Sequence, residues 1–409
     1  MNEIERIRTA RAGLARLFEP NDATGNALVR AAGPVDAYRL ITGHTGQAPA
    51  ALQQAVAELL DGSPRQELRL DRGLERWRPR AADARPERDL ATMARLGGGL
   101  LVPEDEAWPR QLDDLGPAAP LGLWWRGREL PRRIAEASRL MAVVGSRDAT
   151  DYGRQVTAQL SAQVVSAGVT VVSGGAFGID ARAHAAALSA PAGTASPPTI
   201  AVMAGGLDRF YPAGNEELLR AVAGDGVLLA EVAPGANPNR WRFLQRNRII
   251  AALCGATIVV EARWRSGALT TARRAAEIGR EVGAVPGSVF SSNSAGCHRL
   301  LREGAAVAVT DAAEALELLG QAGGALSAPA RAAEDARDAQ ARRPHDGLDI
   351  QDLLLLDALP VRSGASPDKL TAVAGLGIGA VLGGLSRLEA RGLARRTEGG
   401  WQRVRPAEG

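Results

Sequence analysis

The chain has 409 residues, and its 49 basic and 46 acidic side chains leave a net charge of +3, so no single-sign tail dominates it. Two cysteines, Cys254 and Cys297, and four scattered histidines exclude a disulfide framework and a four-cysteine zinc site, and no metal is expected. The charged start MNEIERIRTARAG and the lack of a long apolar run point to a soluble cytoplasmic protein without membrane insertion, built from two or three domains.

Residues 1–75 read as a small helical domain, of a sterile-alpha-motif-like or helix-hairpin-helix-like kind or a structural cap. Its helices are expected at Arg6–Leu17, Ala27–Ala32, Ala37–Ile41 and Ala50–Leu60, separated by Gly and Pro. Residues 76–140 are transitional, with strands at Leu96–Val102 and Leu121–Trp125. Trp108, Trp124 and Trp125 are expected to pack against the next layer.

From Leu140 the pattern alternates strand and helix. Met141–Asp180 gives an apolar run, the turn Gly145-Ser146-Arg147, a helix with Val156, Leu160 and Val164 inward, a second apolar run and the turn Ser173-Gly174-Gly175. Further strands are expected at Thr199–Met203, Gly226–Glu231, Ala256–Val260, Glu281–Val285 and Ala305–Val309. Helices fall between them, including Gln245–Leu253. The expected fold is α/β, an extended Rossmann-like, doubly wound and mostly parallel sheet over residues 76–320. Residues 321–347 read as a solvated, flexible linker. Residues 348–409 give three helices and a hairpin, a winged-helix-like pattern, with seven acidic against eight basic residues, so DNA and protein are equally good partners for it.

Two turns at one end of neighbouring parallel strands mark a place for a ligand, since open α/β sheets bind outside their carboxyl ends. Gly145 allows close backbone approach, Ser146 brings a hydroxyl and Arg147 a forked cation. The spacing is not GxGxxG, and no acidic residue follows the second strand to take a ribose hydroxyl, so a dinucleotide is not expected. Ser173 to Gly178, with three glycines, reads as an anion nest at a helix start, with Asp180 as an alternative brace for the turn. His184, at i+4 from Asp180, has no third partner for a metal.

Arg240, Arg242, Arg246 and Arg248 interleave with Trp241 and Phe243, the composition for backbone charge plus base stacking, or else a solvated basic helix. Glu261, Ser266 and Gly267 follow the next strand and join the same rim. Lys369 is the sole lysine, so arginines must make every cationic phosphate contact. No GxxxxGK[ST], GxSxG or HExxH occurs, so no cofactor and no catalytic residue are assigned.

Gly145-Ser146-Arg147, Ser173 to Asp180 with Ala183-His184, Gly206-Leu207-Asp208 through Tyr211-Pro212, Arg246-Asn247-Arg248, Glu261, Ser266-Gly267 and Pro286-Gly287 resemble the DNA-processing protein A (DprA/Smf) family in order and spacing. The resemblance covers about residues 100–320. It implies a non-enzymatic, sequence-independent single-stranded DNA-binding protein that protects incoming strands and loads the RecA recombinase, working as a homodimer through the Rossmann-like domain. It also implies that Arg147 grips phosphate, that Arg240 supplies the cation before the stacking Phe243, and that Arg246, Asn247 and Arg248 form the RNR element. The alternative reading is a nucleotide-processing enzyme of the phosphoribosyl hydrolase type using the same pocket.

Overall fold

The structure, a computed structural model, describes residues 2–43, 48–60, 69–128, 132–190, 197–320, 348–361 and 363–404. The expected linker at 321–347 lies outside the described residues. The chain divides into two compact units, Met1–Ser327 and Ala328–Gly409.

The first unit is built on a sheet of nine strands. These are β1 (Gly98–Leu101), β2 (Leu123–Gly127), β3 (Leu140–Val144), β4 (Thr170–Ser173), β5 (Thr199–Met203), β6 (Val227–Ala230), β7 (Ala256–Val259), β8 (Glu281–Ala284) and β9 (Val307–Ala308). Their spatial order is β1-β2-β6-β5-β4-β3-β7-β8-β9. β3 to β9 pair in parallel, while β2 runs antiparallel to both β1 and β6. Strands buried on both faces must be apolar throughout. Leu140-Met-Ala-Val-Val144 and Thr199-Ile-Ala-Val-Met203 accordingly have every residue buried.

The chain winds outward from β3 through β4, β5 and β6, then returns to place β7 on the other side of β3. The order therefore reverses between β3 and β7, the topological switch point at which such sheets open a crevice. One sheet face packs Val172, Val202 and Val259 against Ile249 and Leu253, and the other packs Val143 and Val171 against Leu160, Val164 and Ile179.

Among the described residues, six helices precede the sheet: α1 (Glu3–Leu17), α2 (Ala23–Ala32), α3 (Pro34–Thr42), α4 (Ala50–Leu59), α5 (Arg69–Ala81) and α6 (Pro86–Arg95). Asn2 and Glu5 close a capping box at the start of α1. Leu14, Leu28, Ile41 and Trp77 form a core of their own, while Ala12 and Met93 join Leu100, Trp124 and Leu228 at the β1-β2-β6 end of the sheet. The helical layer thus runs on to residue 95 and is fastened to the sheet, where the sequence suggests a break near 75. Arg16 reinforces it, donating to both Asp89 oxygens and to Pro234 O. Trp108 and Trp124 are fully buried.

After β3 the helices are α7 (Asp151–Ser166), α8 (Ile179–Ser189), α9 (Glu216–Asp225), α10 (Arg240–Leu253), α11 (Gly267–Glu277), α12 (Ala295–Arg302) and α13 (Ala312–Glu317). α10 starts five residues before the expected Gln245, with the Asn239 side chain accepting from Arg242 N–H at 2.9 Å. Arg246, Asn247 and Arg248 are therefore mid-helix, and their amides serve the helix ladder rather than a ligand.

The second unit holds helices Ile350–Ala358, Pro367–Ala374 and Ile378–Ala390 and a hairpin of β10 (Ala394–Thr397) and β11 (Gly400–Arg403). Leu355, Leu370, Val381, Leu385 and Leu388 form its core, and Arg387 grips both oxygens of Asp352. Among the described residues, no single helix is long and apolar enough to cross a membrane.

Candidate nucleic-acid interface

The turn after β3 is strapped to its neighbours through its backbone. Ser146 N–H donates to Glu261 O at 2.7 Å, and Ser146 O accepts from Ile179 N–H at 3.1 Å. The turn needs glycines on both sides. A Cβ on Gly145 would lie 2.6 Å from Ile179 Cγ1, and one on Gly178, which has a φ of 78°, would lie 2.2 Å from Ser146 O. The buried Ser146 hydroxyl faces Asp148 N–H at 3.3 Å, which holds the turn tight. Arg147 is left exposed at its apex. Its guanidinium lies 5.0 Å from the centre of the Phe243 ring.

The second turn is closed from within. Asp180 is buried, and its carboxylate accepts from Gly174 N–H at 3.2 Å and from the Ala176 amide. The expected anion nest therefore carries its own anion, the bracing role given above as the alternative. Burial raises the Asp180 pKa, against the pull of Arg246 and the surrounding amides. Ser173 is buried with its hydroxyl donating to Val143 O at 2.7 Å, and Gly175 is buried with a φ of 67°. Neither lines the groove.

Arg246 clamps this turn. Its Nη1 donates to Gly174 O at 2.7 Å and to Val202 O at 2.5 Å. Gly174 has to be glycine, because a Cβ there would lie 2.1 Å from that same Nη1. Burial lowers the Arg246 pKa to about 10, so it stays charged at neutral pH, with Asp180 opposing the shift and Arg147 adding to it. Arg248 points elsewhere: it is 2% exposed and pairs with Glu231 at 2.6 Å, away from the groove. The structure gives Arg248 a packing role and brings it to no open surface.

The groove itself lies over the β3–β7 switch point and has a volume of about 660 Å³. Gly145, Ser146, Arg147, Arg240, Phe243, Arg246, Asn247, Ser266 and Gly267 all line it. Gly174 lines an adjoining pocket. Asn247 Nδ2 donates to Gly267 O at 3.2 Å and ties α10 to the start of α11.

The groove also holds Tyr211, which the sequence places in a family motif without a binding role, and Arg263 and Arg265, which belong to no motif above. The Tyr211 ring is 6.0 Å from Phe243 and half-exposed. Arg263 is paired with Asp148 and donates to Asn293 Oδ1. The position of Arg263 and Arg265 just before Ser266 was the available signal. Among the described residues, Arg147, Arg240 and Arg265 are exposed and make no ion pair. They supply the groove's uncompensated positive charge.

The carboxylates beside the groove are engaged. Glu261 accepts both the amide (3.0 Å) and the hydroxyl (2.5 Å) of Thr150, the N-cap of α7. Gly153 makes room for it, since a Cβ there would sit 2.3 Å from Glu261 Oε2. The thiols are inert as well: burial pushes Cys297 up to about 12 and Cys254 higher still.

His184 is wholly buried, with Nδ1 2.7 Å from the Thr199 hydroxyl. Burial, aided by nearby Arg246, lowers its pKa from 6.5 to about 3. The unfolded chain then binds a proton that the folded chain refuses. Stability from this group is complete above pH 6.5 and falls as pH drops toward 3. Taking the protein from pH 7 to pH 5 is expected to cost about 2 kcal/mol through His184. Urea denaturation at both pH values checks this: His184→Asn should show a smaller loss, and an equal loss would contradict it.

Comparison with known proteins bears on this site. Residues 99–320 match the sequence model of the DNA recombination-mediator protein A family. A DprA-type DNA processing protein of Mycobacterium tuberculosis (strain ATCC 25618 / H37Rv) is 42% identical over 418 residues, 98% of this chain and 96% of the relative. The DNA processing protein DprA of Streptococcus pneumoniae (strain ATCC BAA-255 / R6) is 40% identical over 201 residues, 49% of this chain and 67% of the relative. The X-ray structure of DprA from Streptococcus pneumoniae superposes with a TM-score of 0.54 at 29% identity, covering 77% of this chain and 96% of that one. These matches favour DNA processing over the phosphoribosyl hydrolase alternative, and the chain belongs to the DNA recombination-mediator protein A (DprA/Smf) family.

Proposed function

We propose that the groove over the β3–β7 switch point holds single-stranded DNA without regard to sequence. The observation that carries this is the meeting of three exposed arginines, Arg147, Arg240 and Arg265, unpaired among the described residues, with Phe243 and Tyr211 in one groove. Arginines grip phosphate on any sequence, and aromatic rings stack on any base, but only when the bases are not already paired. A duplex offers the charge without the rings. Gly145, Ser146, Asn247, Ser266 and Gly267 form the walls along which the backbone runs, with Arg246 beneath it. Protection of the strand and loading of RecA by a homodimer joined through the Rossmann-like domain, in the cytoplasm, complete this reading and rest on family membership. The 348–409 unit, read as a winged helix, is an accessory to it.

The test is a fluorescence-anisotropy titration of a thymidine strand and of a duplex of equal length, repeated over a salt series. The strand should bind more tightly, with affinity falling steeply as salt rises. Equal or tighter duplex binding would overturn the reading. Phe243→Ala should cost about 1–3 kcal/mol for the strand, through lost stacking, with the salt slope kept. An unchanged affinity would remove Phe243 from the interface.

A further inference from the structure

One basic surface lies outside the groove. On α5, Arg72, Arg76 and Arg80 recur every fourth residue, and all three are exposed. Residues at i and i+4 stand one above the other on a helix, so the three form a stripe with steps of about 6 Å. Leu70, Leu74 and Trp77 turn away from it into the core of the helical layer. Glu75 is exposed too, about 100° round the helix from Arg76.

The stripe borders a cavity of about 350 Å³, lined by Arg76, Arg80, Trp77 and Trp241 together with Glu19 and Asp22. Trp241 is 51% exposed and lines no part of the groove, whereas its neighbour Arg240 does. The first turn of α10 therefore serves both places. The junction is fixed: Arg242 donates to both Glu19 oxygens at 3.0 Å, and Asn21 Nδ2 donates to Gln245 Oε1 at 3.0 Å.

The two carboxylates in this cavity are already engaged. Asp22 accepts from Gly25 N–H at 3.1 Å as the cap of α2 and from the Trp77 indole N–H at 3.0 Å, and Glu19 holds Arg242. Arg76 stands 3.5 Å from Asp22 and Arg80 3.7 Å from Glu19, outside good hydrogen-bond length. Arg80 also donates to Leu17 O at 3.0 Å, which fixes its place. Both arginines keep donors for a further anion.

We propose that a single strand leaving the groove past Arg240 crosses Trp241 and continues along α5, with one base stacked on Trp241 and phosphates on Arg80, Arg76 and Arg72. The claim rests on the single-stranded DNA reading of the groove and lengthens its track onto the helical layer. A step of about 6 Å between arginines is close to one nucleotide of an extended strand. An exposed ring beside a row of cations is the composition of a sequence-tolerant strand platform. The helical layer then forms part of the binding surface as well as a cap on the sheet.

The experiment compares full-length wild type, Arg72→Ala/Arg76→Ala and Trp241→Ala on thymidine strands of about six and about twenty-four nucleotides, by fluorescence anisotropy over a salt series. The short strand is held by the groove, and the long one reaches α5. The wild type should bind the long strand more tightly. Arg72→Ala/Arg76→Ala should flatten the long strand's salt slope by about 1.4, the share of two phosphates. Trp241→Ala should weaken long-strand binding about tenfold with the slope kept, the worth of one stacked base. Short-strand affinity should stay at the wild-type value in both variants. The three side chains are exposed; unchanged thermal melting shows that the variants are folded, and either carries the test if the other is not. Wild-type affinity and slope for the long strand in folded variants overturn the extension and leave the groove standing. Equal losses on both strands also overturn it, since the residues then act on the groove. Failure of the wild type to bind either strand overturns both.

Discussion

Replacing Arg147 with alanine is expected to weaken binding of a single strand about ten- to 150-fold, the equivalent of about 1.5–3 kcal/mol for a charge-assisted hydrogen bond. Three features make this residue the most sensitive point in the groove. It stands at the apex of a turn held on both sides by backbone bonds to Glu261 and Ile179, so its placement is fixed before a ligand arrives. It has no carboxylate partner among the described residues, so its charge is uncompensated. It also lies over Phe243, and its loss frees the ring that stacks on a base. The salt slope should flatten by about 0.7, one phosphate's share for a single strand. Arg147→Lys should keep the slope but recover only part of the affinity, because the fork is lost. Salt titrations of the three proteins check this, and an alanine variant with wild-type affinity and slope would contradict it.

Arg246→Met is expected to act on the fold instead. It removes the Nη1 group that donates to both Gly174 O and Val202 O, and takes a nearby positive charge from the buried Asp180. Leaving two buried carbonyls without their donor costs about 1–3 kcal/mol each, so the expected loss is about 2–5 kcal/mol. Urea unfolding should show a loss of that size, and a change under about 0.5 kcal/mol would mean that Arg246 does not hold the turn. Gly174→Ala approaches the same fault from the other side, with its Cβ driven into the Arg246 guanidinium. Both variants should retain the wild-type salt slope in whatever fraction folds. That separates a residue beneath the groove from one inside it.

Much of the architecture was legible because parallel strands buried on both faces must be written as continuous apolar runs. β3, β5 and β7 could be placed that way, and the paired turns at their ends located the groove. The start of α10 was not legible, because Arg240-Trp-Arg-Phe243 hides an apolar period behind charge. The same helix explains the mixed outcome at the RNR element. Residues two apart on a helix point about 200° from each other. Arg246 and Arg248 therefore cannot both face one groove, whereas Arg240, Phe243 and Asn247, at i, i+3 and i+7, share a side. The periodicity is in the sequence, but the RNR pattern taken as a unit hides it.

Ser173 to Gly178 failed as an open nest for a different reason. Amide count and glycine spacing reveal a concave backbone, but they do not reveal that an acid seven residues after Ser173 folds back to fill it. The place of Arg265 and Tyr211 in the groove is not legible in the sequence, because each sits in a short loop with no repeat around it. They enter the groove only when β5 and β7 are brought to either side of the β3–β4 pair.

Photocrosslinking is the most direct test of the groove as the DNA site. A thymidine strand carrying 5-iododeoxyuridine at one position is irradiated with the full-length protein, and the attached peptides are identified by mass spectrometry. The expected attachments are at Phe243 and Tyr211, within the peptides that flank Arg209 and Arg246. Attachment confined to residues 348–404, with the 209–246 peptides unmodified, would contradict the account.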